Sequence, residues 1–204
     1  MLRRTAIALL ALIVAGILAP LAGAASVSVR VEGKTRTIFG PSEPRIEVAS
    51  GASALDALES ASVLGEFYVH VAQLSFGPYV DQIGLYPAAG SSGWQFKVNG
   101  ASPPVGASSV TLKDGDHVLW YWADLDPISF AGPKTLLLTR TAPNCYAVFA
   151  QDDRGMRTPV TGASLHVGGK RVLSAASGRA CVGPHRGLLV RATLAGTIRS
   201  NALT

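Results

Sequence analysis

Two stretches carry the sharpest alternation of apolar and polar side chains. In GWQFKVNG (93–100), Trp94, Phe96 and Val98 share one face of a strand and Gln95 and Lys97 the other. The run stops on Asn99-Gly100, a pair suited to positive φ in a tight reversal. In HVLWYWAD (117–124), Val118, Trp120 and Trp122 alternate with Leu119 and Tyr121, so this strand is apolar on both faces. Placing the two strands side by side gathers Trp94, Phe96, Val98, Trp120 and Trp122 into one core. Leu119 and Tyr121 then look the other way, beside Gln95 and Lys97, and outward apolar side chains need a cover. The pattern leaves three covers open: the later part of the same chain, a partner protein or a ligand.

The same reading extends along the chain. SVSVRVEG (26–33) alternates strictly and predicts a strand, and KTRTIFGP a second one. SGASALDALESASVLG predicts the one helix. Ser53 with Asp56 three residues on resembles a capping box, Ala54, Leu58 and Ala61 lie on one face, and Gly65 stands at the end. Residues 67–76 and 79–87 supply further strands. One hairpin, one helix and then strands predict a compact α+β unit in which a helix crosses a mixed sheet. From Thr135 the pattern becomes short strands separated by DDRG, VTGA, GGK, ASGR and HRG turns, which predicts an all-β sandwich. The expected organisation is a first domain at 25–123, a turn-rich linker at 124–134 and a sandwich at 135–204, mostly β overall.

At the N-terminus, Arg3 and Arg4 precede the apolar run AIALLALIVAGILA, followed by AGA at 22–24. The run falls short of the roughly 20 residues that span a bilayer, so residues 1–24 read as a secretory signal cut after Ala24. The chain is then secreted or held at the cell surface. In that setting the two cysteines, Cys145 and Cys181, are expected to form a disulfide.

Net charge is +5, and it divides unevenly. Residues 25–133 hold six Lys/Arg against eleven Asp/Glu, and residues 134–204 hold ten against two. A basic sandwich suits attachment to anionic wall polymer or lipid headgroups. Basic and aromatic residues lie in different halves, which argues against nucleic acid. The chain has no GxSxG, no GxxxxGKS and no HExxH. His70, His117, His166 and His185 lack ligand spacing, and Asp114 and Asp116 flank a turn glycine. No nucleophile–base pair can be named, so a hydrolase is the remotest reading, and no metal or catalytic residue is expected.

GWQFKVNG and LKDGDHVLWYW, in this order and at this spacing, resemble the signature strands of the transcobalamin-like C-terminal domain, also known as a bacterial domain of unknown function. The resemblance covers roughly residues 26–123 and implies a β-grasp-like fold. In vertebrate cobalamin carriers the corresponding domain is a lid over the corrin, held by an α/α-barrel domain on the other side. This chain has no such barrel, so a cobalamin or corrinoid site would need a separate barrel-type partner. Residues 135–204 resemble, more weakly, bacterial Ig-like and carboxypeptidase-regulatory-like sandwiches, which serve as spacers or attachment modules. The leading expectation is a non-enzymatic exported adaptor whose grasp domain docks a partner. A binder of a flat ligand on the face of Gln95, Lys97, Leu119 and Tyr121 is the alternative.

Overall fold

The computed structural model describes residues 24–126, 128 and 131–204. The expected signal lies outside the described residues, Ala24 excepted. The first half holds β1 (Ala25–Glu32), β2 (Thr37–Phe39), β3 (Arg45–Val48), α1 (Ala54–Gly65), β4 (Val69–Leu74), β5 (Gly77–Ile83), β6 (Tyr86–Pro87), β7 (Ser92–Val98), a 3-10 turn (Ala107–Ser109) and β8 (His117–Asp124). β1 pairs β8 in parallel and β2 and β3 antiparallel. β8 pairs β7 antiparallel, with Trp94 opposite Trp122 and Phe96 opposite Trp120. β4, β5 and β6 form a separate three-stranded sheet.

α1 lies across the five-stranded sheet for the reason its sequence suggests. Ala54, Leu55, Ala57, Leu58 and Ala61 are buried against Val27, Val29 and Val31 of β1 and Val118, Trp120 and Trp122 of β8. The capping box forms: the Ser53 hydroxyl accepts from the Asp56 N–H, and the Asp56 carboxylate accepts from the Ser53 N–H at 2.7 Å. The left-handed residue that ends the helix is Glu66, not the expected Gly65. Gly65 is needed for space, because a Cβ there would sit 2.5 Å from the Phe39 ring.

The tryptophans form the core that the alternation predicts. Trp94 and Trp122 meet edge to face at 5.7 Å, and Phe96 stacks on Trp120 at 5.1 Å. Such pairs contribute roughly 0.5–1.5 kcal/mol beyond area burial.

The second half adds β9 (Thr135–Ala142), β10 (Cys145–Gln151), β11 (Arg157–Pro159), β12 (Ser164–Val167), β13 (Lys170–Leu173), β14 (Arg179–Cys181), β15 (Val190–Thr193) and β16 (Ala202–Leu203). Two four-stranded sheets result: β9, β11 and β14 all pair β10 in one, and the other runs β13-β12-β15-β16. Their inner faces bury Leu136, Leu138, Tyr146, Val148, Leu165 and Val190. The fold is therefore mostly β, a grasp-like unit with one helix followed by a β-sandwich. Cys145 and Cys181 stand opposite each other across β10 and β14 and are bonded. That bond points to an oxidising, extracellular setting. No helix among the described residues is long and apolar enough to cross a membrane.

Candidate functional site

The outward face of β8 and β7 is closed by the second half of the same chain. Tyr121 is 1% exposed, and Leu119 and Ala123 are buried with it against Leu125 and Ile198. Lys97 shares this burial. Its ammonium donates to the Asp152 carbonyl at 2.8 Å, reaches the Thr135 hydroxyl and the Gln151 carbonyl at 3.4 Å, and pairs with the Asp153 carboxylate at 3.4 Å. It also lies over the Tyr121 ring. Burial lowers the Lys97 pKa, with Asp153 and Asp152 opposing the shift. Burial raises that of Tyr121, and the negative charge of Asp153 adds to it.

Of the four residues expected to meet a ligand or partner, Lys97, Leu119 and Tyr121 are thus internal, and Gln95 alone keeps partial exposure. The expectation of an open binding face is corrected here. The apolar pair is covered because Leu125 and Ile198 pack against it, while acceptors of the sandwich hold the Lys97 ammonium beside it.

A second contact locks the halves together. The Glu32 carboxylate is fully buried and accepts from Arg199 Nε and the Thr37 hydroxyl, each at 3.0 Å, from Arg30 at 3.4 Å and from Arg191. Arg30 also donates to the Arg199 carbonyl, and the Ala202 N–H to the Pro41 carbonyl. Burial lowers the Arg191 pKa, while Glu32 opposes this and Arg30 and Arg199 add to it. A carboxylate taken out of water needs this many donors, and once paired it fixes one docking geometry. Gly100, at φ +87°, completes the seam: a Cβ there would lie 2.3 Å from the Gln151 side-chain nitrogen.

A groove of about 510 Å³ stays open at the far edge of the grasp unit. Its walls are Phe76 to Val80 of the β4–β5 hairpin, Gly106 to Ser109 and Leu55, with Trp94, Gln95, Phe96 and Trp120 along the floor. Phe76, at the hairpin tip, is 75% exposed and meets Tyr79 edge-on. The Trp120 indole N–H is buried and has no hydrogen-bond partner among the described residues. Burial raises the Tyr79 pKa, and the negative charge of Asp81 adds to it. Sequence reasoning passed over Phe76, Tyr79, Arg30 and Glu32. The available signals were an aromatic residue set before Gly-Pro in a turn, and opposite charges two apart on the polar face of an alternating strand.

Fold and site together define a grasp-like unit capped on one sheet face by a sandwich of the same chain and open at its opposite edge. Residues 51–124 match the family described as Domain of unknown function (DUF4430). The match runs from the start of α1 to the end of β8 and leaves out β1 to β3, which complete the same sheet. Among solved structures, the chain is similar to haptocorrin in complex with Cbi, at 22% identity and a TM-score of 0.45 over 51% of this chain and 26% of haptocorrin. It thus spans about a quarter of that protein's length. It is also similar to a candidate metal-binding protein from Ruminococcus gnavus, at 17% identity and a TM-score of 0.38 over 49% of this chain and 97% of that one. No curated protein matches the chain.

Proposed function

We propose that the protein is an exported, non-catalytic adaptor in which the grasp unit docks a partner protein through the open groove and the basic sandwich attaches to an anionic surface. The observation that carries this reading is the exposed Phe76 at the mouth of an aromatic-floored groove. An exposed ring continuous with apolar walls offers contiguous apolar area that a partner can bury. The sealed seam supports the same reading, since it gives the groove and the sandwich a fixed relative placement. Arg154, Arg157, Lys170, Arg171, Arg179 and Arg186 are exposed on the sandwich and available for surface attachment.

The test places a photo-crosslinking p-benzoylphenylalanine at Phe76 and, as a control, at Met156 on the sandwich, in the cells that make the protein. Docking through the groove yields a discrete covalent adduct from position 76 alone. Adducts from neither position, or equally from both, refute it. Sedimentation with vesicles of phosphatidylglycerol and phosphatidylcholine tests attachment. Binding is expected to fall as salt rises and the Debye length shortens from about 10 Å at 0.1 M, whereas salt-independent retention contradicts attachment by charge.

A further inference from the structure

The groove's floor is a strand edge with unused main-chain groups. β7 is the last strand of its sheet. Its odd-numbered positions bond to β8: the Asn99 N–H donates to the His117 carbonyl, and the Ser91 carbonyl accepts from Leu125. The even-numbered positions therefore direct their N–H and C=O groups away from β8. At the two ends of the strand these groups are taken, Ser92 exchanging bonds with Ala89 and Val98 with Ala101. Between them, the main-chain groups of Trp94 and Phe96 on that side have no partner among the described residues.

We propose that this edge is a strand-addition site that receives a short extended segment of a partner polypeptide; the inference rests on the docking reading above and names its chemistry. The free groups repeat every second residue, roughly 7 Å apart at about 3.4 Å per residue. An extended peptide backbone supplies acceptors and donors at that same repeat. The bridges at Ser92 and Val98 bound the opening to about three or four residues of partner at that rise. Among the described residues no charged side chain lines the groove, so the segment presents uncharged, apolar side chains inward, against Phe76 and the Trp120 ring. The edge also lacks the protection common on exposed strands, where Pro or an outward Lys blocks pairing. Lys97 is the one charge on β7, and it is turned inward to Asp152.

The test titrates the full ¹⁵N-labelled chain with the acetylated, amidated peptide Lys-Thr-Val-Thr-Val-Thr-Lys and with the same peptide N-methylated at both valines. Strand addition predicts saturable amide shifts at Trp94 and Phe96, at least tenfold slower exchange of those two N–H groups, and at least tenfold weaker binding of the methylated peptide. Phe76→Ser, at an exposed position, lowers affinity several-fold without unfolding the chain. Equal binding of both peptides, or no protection of those amides at millimolar peptide, overturns strand addition. Hydroxocobalamin that quenches the tryptophans without protecting the two amides overturns it as well, in favour of a flat ligand. A crosslink from position 76 without amide protection leaves partner docking standing while strand addition fails, and the absence of both removes both.

Discussion

Lys97 Nζ, on the grasp sheet, and the carbonyl oxygen of Asp152, in the turn between β10 and β11 of the sandwich, lie 2.8 Å apart, with no part of the Lys97 side chain exposed. The residue that the alternation pattern set on an outward face is therefore the peg on which the second half of the chain is hung. Removing the ammonium leaves the Asp152 and Gln151 carbonyls without their donor and opens a cavity. Lys97→Ala is expected to destabilise the protein by about 3 kcal/mol. Lys97→Met keeps the stem over Tyr121 and loses less. Urea unfolding checks the order, and limited proteolysis between residues 124 and 134 reports whether the halves part.

Glu32→Gln removes one charge and leaves Arg30, Arg191 and Arg199 converging on a neutral amide. Breaking a buried ion cluster in this way is expected to cost about 3–5 kcal/mol. Arg199→Met, which removes one of several donors, costs less. Chemical denaturation of the two variants checks this, and equal midpoints for Glu32→Gln and wild type would show that the cluster contributes nothing net.

The Cys145–Cys181 bond closes a separation of 36 residues. In the chain-entropy account a loop of that length stabilises by about 3–4 kcal/mol. Calorimetry of the Cys145→Ala/Cys181→Ala variant should show a lower sandwich transition. A change of less than 1 kcal/mol, on the order of the weakest effects such bonds show, would mean that β10 and β14 hold without it.

Alkaline pH tests the seam through Tyr121. Its folded pKa is raised above 10.0 by burial, so as pH climbs past about 10 the unfolded chain ionises first and stability falls. Lys97 acts oppositely: its folded pKa is lowered, so its own titration raises stability as pH approaches about 10.5. Measured in the Lys97→Met background, the loss between pH 9 and 11 should be smaller in Tyr121→Phe than in the parent. Some loss persists, because the Tyr79 pKa is raised as well. Identical pH profiles would place the Tyr121 hydroxyl in water.

Local order could be read from the chain itself. The capping pair Ser53 and Asp56, the period of Ala54, Leu58 and Ala61, and the ring alternation in β7 and β8 all act over a few residues, and each formed as its spacing predicts. The inward set of tryptophans followed because a strand's side chains alternate whatever surrounds it. The cysteine pair was equally legible, as the even count in an oxidising setting left one pairing.

Tertiary structure alone decided which face of the sheet is free. Period-two patterning says that Leu119 and Tyr121 point away from one core, but it cannot say what meets them, because Ile198, which packs against them, is distant in sequence. For the same reason Arg30 and Glu32 read as a solvated face of β1 until Arg191 and Arg199 arrive from residues far along the chain. The groove has the same origin. Phe76 is one aromatic residue in a turn until the hairpin, the 106–109 segment and the unpaired edge at Trp94 and Phe96 are brought together, and long-range packing sets their distances.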